Sequence, residues 1–464
     1  NYTSKEGLSS NNTRSIYESS SGGFWIGTDG EGLNFLKDGK IITYTTKDGL
    51  SNNSIRTICQ DSKGNLWLGT YGGVNLLKDG KIKPYFKDKL PITIINVIVV
   101  DQEDNIWIGT YSQGVYLIKN NIVTSFTTKD GLNDDFIRSI HIDKENNVWI
   151  GTRSGFNLLQ EGKISSYRHH PVDNSTDFTV FSFYEDKESR LWIGTNKGLL
   201  WLKNNKLYAC TVKEGLFDDV VFQILESNDE NFWISCNKGI YKVSKKDLIN
   251  YEQNLIKSLN SISYNKFDGM PANQCNGGTQ PSAWKDTQGK LWFATIKGIT
   301  MIDPLNSKIN KLAPPVTLER IIVNGKSINL EETLLDSDKK DFTFYYNALS
   351  FIAPKKVRFK CKLEGYDKEW KERTERSINY TNIGPGDYKF RVIACNNDGI
   401  WNQVGVSYSF RIKTPISQTR GAYIFYVTAS GATLYAIFLI RVKTLKRRNK
   451  LLEEKVAIRT HALN

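Results

Sequence analysis

The sequence predicts an all-β protein: a seven-bladed β-propeller followed by an immunoglobulin-like β-sandwich, then one transmembrane helix and a coiled-coil linker. Three observations carry that reading. A tryptophan-centred phrase repeats seven times, the text changes to alternating strands without that phrase after Pro314-Pro315, and Gly421 to Ile440 is a run of 20 residues without a charge.

The repeats read FWIGTDGEG around Trp25, LWLGTYGG around Trp67, IWIGTYSQG around Trp107 and VWIGTRSG around Trp149. They continue as LWIGTNKG, FWISCNKG and LWFATIKG around Trp192, Trp233 and Trp292, at intervals of 42, 40, 42, 43, 41 and 59 residues. A period in the low forties built of strands is the signature of one propeller blade per repeat. Within Arg56 to Tyr85, β-branched and aromatic runs alternate with Asp-x-x-Gly and Asp-Gly turns, which gives four short strands. One such sheet cannot bury both faces, so the repeats must close into a ring over residues 1–304. The Trp is a body to stack between blades, and the glycines Gly27, Gly69, Gly109, Gly151 and Gly194 allow close backbone packing beside it.

Two features depart from the repeat. The long sixth interval holds KKDLINYEQNLIKSL (245–259), whose Leu248, Leu255 and Leu259 predict a surface helix on the last blade connection. Asn1-Tyr2-Thr3 followed by KEGLSSNN matches Tyr44-Thr45-Thr46 followed by DGLSNN, an outer strand running into the next blade. The chain is therefore expected to open inside a repeat, as a fragment whose first-to-last blade contact is weak.

From 314 to 413, FTFYYNALSF, VRFKCKLEGY, SINYTNIGPGDYKFRVIACN and VSYSFRIK alternate apolar and polar residues, as a β-sandwich of about 100 residues requires. Six cysteines (Cys59, Cys210, Cys236, Cys275, Cys361, Cys395) lack metal-type spacing, and Cys361 and Cys395 fall on different strand faces, so free thiols are expected. The uncharged run at 421–440 is long enough to cross a bilayer core of about 30 Å. Arg441, Lys443, Lys446, Arg447, Arg448 and Lys450 follow it, so residues before 420 are expected outside the cell membrane and those after 440 in the cytoplasm. Residues 441–464 place Leu445, Asn449, Leu452, Val456, Arg459 and Leu463 at alternating steps of four and three, a short dimer seam with Asn449 set to fix register.

Net charge is +13, but the basic residues are spread along the blades or gathered behind the apolar run, and no compact basic-aromatic module is present, so nucleic acid is not an expected partner. His169-His170 points to opposite strand faces with no third ligand nearby, so no metal site is expected. Phosphate-loop, Gly-x-Ser-x-Gly and His-Glu-x-x-His motifs are absent, and no cofactor is implied.

The order of parts, with DGL-S-N-N and D-x-x-G-N-L-W-I-G-T repeats, LEGYDKEW (363–370), INYTNIGPGDYKFRV (378–392) and NNDGIW (396–401), resembles the sensor half of bacterial two-component regulators with propeller repeats. Phe359 stands where that family often has tyrosine. The resemblance implies a membrane-bound receptor that senses an external small molecule or oligosaccharide and acts as a homodimer in the lipid bilayer. It implies a cytoplasmic signalling output of histidine-kinase (phosphorelay) or diguanylate-cyclase type beyond residue 464; many such relatives carry two propellers of seven repeats where this sequence shows one, and an extracytoplasmic N-terminal domain needs a signal peptide or an earlier span. LLEEKVAIRTHALN is similar to the helix that leads into such outputs, and His461 reads as a linker residue.

Binding rather than catalysis is expected of residues 1–464. Loops joining outer to next inner strand, and second to third strand, share one propeller face, and bring Asp29, Tyr71, Tyr111, Arg153, Asn196 and Asn237 to equivalent places, one per blade. Arg14, Arg56 and Arg138 recur two residues before Ile16, Ile58 and Ile140, as repeat-register residues that could also hold an anion. The competing reading is a propeller glycan hydrolase or lyase: the Asp-x-x-Gly turns look like sialidase hairpins, which are structural, and no convergent pair of carboxylates stands out.

Overall fold

The computed structural model describes residues 1–86, 89–91, 93–306, 310–350 and 353–461. Contacts divide the chain into two units, one built on Asn1–Lys311 and one on Leu312–Asn464 apart from Asn397–Gly399.

Seven antiparallel sheets form the first unit, one per repeat. Blades 1 to 6 are four-stranded meanders whose innermost strands are Thr13–Glu18, Ile55–Gln60, Ile95–Val100, Ile137–Ile142, Val180–Glu185 and Ile224–Glu226. Blade 7 has three strands, Ala283–Lys285, Leu291–Thr295 and Gly298–Ile302. Its fourth position is taken by the N-terminus: Tyr2 N–H donates to the Ile299 carbonyl (2.9 Å) and Ile299 N–H to that of Tyr2 (2.8 Å). The opening residues that read as a fragment of a repeat are thus the outer edge of the last blade. The expectation of a weak closing contact is corrected, because Tyr2 also stacks on Trp292 (5.6 Å) and Leu8 is buried in the same cluster as Ile16 and Ile26.

Each tryptophan packs against the following blade. Trp67 sits with Ile95, Ile98 and Ile106, Trp149 with Phe183 and Ile193, Trp233 with Ala283 and Phe293. In five blades the indole N–H is held by the aspartate that opens the turn before it: Trp67 donates to Asp61 (3.1 Å), Trp107 to Asp101 (3.3 Å), Trp149 to Asp143 (2.9 Å), Trp192 to Asp186 (2.9 Å) and Trp292 to Asp286 (2.8 Å). Blade 6 keeps the bond with Ser227 in place of Asp. The turn therefore fixes both its own backbone, through Asp61 to the amides of Lys63 and Asn65, and the ring that joins the blades. At Gly69 a Cβ would lie 2.3 Å from Thr57 and 2.7 Å from Ile95 of the next blade, so only glycine permits that spacing.

The helix expected over 245–259 is shorter and placed differently. Helix α1 spans Lys245–Glu252, capped by Ser244, and lies between the third and fourth strands of blade 6. Leu248 and Leu259 are buried but Leu255 is exposed. Its start is an ionic hub rather than a solvated face: buried Lys245 contacts Asp186 (3.1 Å), Glu188 (3.0 Å) and Glu226 (3.3 Å), and Glu252 at its end accepts from Trp201 Nε1 (2.7 Å).

The second unit holds a four-stranded and a five-stranded sheet around a core of Phe342, Phe344, Tyr346, Phe359, Leu363, Phe390 and Phe410. Phe359 packs on Tyr346 (5.0 Å), so the aromatic body is kept without the hydroxyl. Cys361 joins this core, Cys395 does not, and all six cysteines are free. Helix α2, Arg420–His461, is one uninterrupted helix of 42 residues, about 63 Å at 1.5 Å per residue. It is long and apolar enough to cross a membrane, and it continues through the basic cluster. Leu445 and Leu452 are exposed on it; Leu463 lies outside the described residues.

Candidate functional site

The DGLSNN text builds one face of the ring. In blade 1's exit, Thr45 N–H and hydroxyl both donate to Asp48 (2.8 and 3.1 Å), closing a one-turn 3₁₀ helix that ends at Gly49 in the left-handed region. Leu50 is then buried, Ser51 N–H donates to Asn75 (2.7 Å), and Asn53 accepts from Thr46 (2.8 Å). Equivalent boxes stand at Thr3, Thr127 and Asn265. These turns start each inner strand at the same height, beside the turn between second and third strands.

Arg14, Arg56 and Arg138 enter this face from inner strands of blades 1, 2 and 4 and meet the residues of the neighbouring turns. Arg14 pairs with Asp29 (2.6 Å). Arg56 donates to the Tyr71 hydroxyl (3.2 Å) and lies over that ring. Arg138 lies 4.5 Å over Phe136, which Tyr111 (4.4 Å) and Arg153 (5.5 Å) also contact. Arg153 is paired with Asp134 (3.2 Å). Asn196 instead accepts from the Thr179 amide (2.7 Å), a turn-fixing role, and Asn237 is an exposed turn residue. The nine expected residues therefore divide: seven, four arginines, two tyrosines and Asp29, fall across blades 1 to 4, while Asn196 serves its own loop and Asn237 is exposed on its turn.

Burial and mutual repulsion shape the charges. Arg56 is only 8% exposed, and desolvation followed by the nearby Arg14 charge lowers its pKa. Arg138 is lowered to about 10 by desolvation, then by Arg56, Arg153 and Arg14. Arg56 and Arg138 have no carboxylate in ion-pair contact among the described residues.

A segment the sequence did not single out for this role reaches from blade 7 to blades 1, 2 and 4. Between Gly269 and Ala283 the chain crosses the ring. Thr279 donates to the Arg14 carbonyl (2.8 Å), Pro281 accepts from Ile16 N–H (3.0 Å), and the Gly278 carbonyl accepts from Arg56 (3.2 Å) and Arg138 (3.5 Å). Gln280 then exchanges two bonds with the Ile140 backbone (3.0 and 2.8 Å) on blade 4. A Cβ at Gly278, which has φ +72°, would sit 2.3 Å from Arg138 Nη1, so the plug and the arginines are fitted to each other. The sequence signal was length: this connection is far longer than Gly49 to Ile55 in the repeat.

Other concavities carry less chemistry. An open groove of about 560 Å³ on the sandwich is lined by Glu364, Asp387, Tyr388 and Arg411, but Arg411 is already paired with Asp387 (2.9 Å). No group of three metal-ligating side chains occurs among the described residues. His170 is buried against Phe178 and Asp173, and His169 contacts the Asn174 carbonyl.

Comparison with known proteins agrees with this architecture. Residues 7–30, 49–72, 131–154 and 175–197 match the two component regulator propeller repeat, and residues 350–413 match the Y_Y_Y domain. The chain carries two-component-regulator propeller repeats followed by a Y_Y_Y domain. The extracellular domain of the hybrid two component system BT3049 from B. thetaiotaomicron superposes with a TM-score of 0.68 at 24% identity, covering 88% of this chain and 56% of that one. The corresponding domain of BT4673 from the same organism gives 0.51 at 19% identity, over 87% and 57%. Histidine kinase P4 of Formosa agariphila is 23% identical over 227 residues, which are 46% of this chain and 16% of that protein. The chain thus spans a small part of that relative and just over half of the solved domains.

Proposed function

We propose that this chain is the extracytoplasmic sensor portion of a membrane-bound bacterial receptor, with the loop face of the propeller as its ligand-binding surface. The observation that carries the proposal is the string Asp29–Arg14, Arg56–Tyr71 and Tyr111–Phe136–Arg138, set beside the Gly278–Gln280 segment that crosses the ring. A ring with aromatic and guanidinium groups on one rim suits a small polar ligand or oligosaccharide. Relatives named as a histidine kinase and as extracellular domains of hybrid two component systems support the receptor reading. The basic run after the apolar part of α2 supports an outside propeller and a cytoplasmic output domain, and the exposed Leu445 and Leu452 support pairing of two copies.

Tyr71 weighs against the hydrolase reading: its hydroxyl accepts from Arg56, and no described carboxylate contacts it to take its proton, as a tyrosine nucleophile would need. The test is a panel of glycan fragments titrated into the full chain and into Tyr111→Ala. Saturable binding weakened by Tyr111→Ala, without turnover, supports the reading. Multiple-turnover cleavage, or binding indifferent to every loop-face change, overturns it.

A further inference from the structure

We infer that the site on this face is built for an anionic group: a carboxylate or sulfate ester on the ligand, seated between Arg56 and Arg138 and flanked by Tyr71 and Tyr111. This deepens the loop-face reading and rests on it. Four arginines share the face, and two of them, Arg56 and Arg138, have no carboxylate partner among the described residues. Arg14 is neutralised by Asp29 and Arg153 by Asp134. Arg56 is more than nine-tenths buried, and its Nε, like those of Arg138 and Arg14, is buried with no hydrogen-bond partner among the described residues, but only Arg14 of the three has a carboxylate on its guanidinium. Unpaired buried guanidinium is costly to hold in a folded protein. What Arg56 and Arg138 share is one neutral acceptor, the Gly278 carbonyl of the plug.

A carbonyl dipole cannot offset two charges, whereas an oxyanion above it could take the remaining N–H donors of both arginines. The rim supplies the rest of a sugar-acid site. Tyr71 and Tyr111 are 38% and 47% exposed, so they offer ring faces to the apolar side of a pyranose while the charge is held deeper. The arginines raise one another's cost of ionisation, so an anion is drawn by the group and not by one residue.

The test uses the full chain in lipid nanodiscs, titrated with three probes: a galacturonate trisaccharide, its methyl ester, and a galactose trisaccharide carrying one sulfate ester. Binding of the carboxylate or the sulfate probe, whichever fits, should exceed that of the uncharged ester by roughly tenfold or more. Arg138→Gln should abolish that preference. The exposed Arg153→Gln, which folds whatever the core tolerates, should weaken anion binding by about two- to fivefold and leave the ester unchanged. Equal affinity for acid and ester, or an anion preference that survives Arg138→Gln in a folded chain, overturns the inference. So does failure of both anionic probes together with equal protection against thermal unfolding by inorganic sulfate and chloride at matched ionic strength. Neutral saccharides that bind in a Tyr111-dependent way would leave the loop-face reading standing without its anion.

Discussion

Tyr2 and Ile299, nearly 300 positions apart, exchange both backbone hydrogen bonds, so the first residues of the chain complete the last blade. The ring is closed non-covalently at that seam, where Leu8 and Trp292 are also buried. Leu8→Ala should cost about 2–5 kcal/mol of propeller stability, read as a lower midpoint in chemical unfolding. A change below about 0.5 kcal/mol would show that the N-terminal segment is not a working part of the closure.

Lys245 offers a second site where one change should be severe. It is buried, in contact with Asp186, Glu188 and Glu226, and although burial opposes its charge, the hydrogen bonds and charges of those carboxylates hold its pKa above the usual lysine value. Lys245→Met leaves Glu226 without its cation and Asp186 with Arg190 (3.5 Å) alone, and should destabilise blades 5 and 6 by about 3–5 kcal/mol. Denaturant unfolding followed by tryptophan fluorescence reports it through Trp192 and Trp201, both fully buried.

The plug should respond to Gln280→Leu. The Ile140 amide then loses its acceptor and its carbonyl loses a donor, at a cost of about 1–3 kcal/mol. Hydrogen exchange should quicken at Ile140 while blade interiors such as Leu68 keep their protection. Unchanged exchange at Ile140 would mean that the plug is held elsewhere.

Asp367 gives the sandwich an acid dependence. Burial alone would raise its pKa, but Lys371 (2.7 Å), the Tyr380 hydroxyl (2.6 Å) and the Leu363 amide (2.9 Å) together lower it below the ordinary carboxylate value. A carboxyl with a depressed folded-state pKa adds stability that is complete above the unfolded value, about 4, and is lost as pH falls through the folded value. The sandwich transition should therefore weaken below pH ~4, and Asp367→Asn should flatten that dependence while lowering stability at pH 7.

Single cysteines along α2 test the proposed pairing. Cysteine at Leu445, Asn449 or Leu452 should give disulfide-linked dimers in membranes, whereas cysteine at Arg447 or Lys450, off the seam, should give few. Equal yields at all five positions would remove the seam.

Periodicity made the propeller legible, because a Trp, a small residue two positions later and a tight turn six residues before the Trp recur together where one blade locks to the next. The indole bond from Trp67 to Asp61 joins two parts of the repeat that read as separate signals. The loop face was legible in outline for the same reason: Arg14, Arg56 and Arg138 keep register, and register sets height on the ring. Their partners were not, since Arg56 meets Gly278 across more than 200 residues of sequence, and no local pattern encodes that contact. Helix α1 ended early because Asn254 turns to positive φ directly after it, while the leucine spacing continues.

In the proposed topology the loop face lies outside the cell and the end of α2 inside. Membrane-impermeant maleimide labelling of intact cells, with cysteine placed at Tyr111 or at Lys446, tests this directly; the native thiols Cys210, Cys236, Cys275, Cys361 and Cys395 are buried, and the half-buried Cys59 is replaced by serine. Labelling is expected at 111 in intact cells and at 446 only after lysis. Labelling at 446 in intact cells, with 111 protected until lysis, would contradict it.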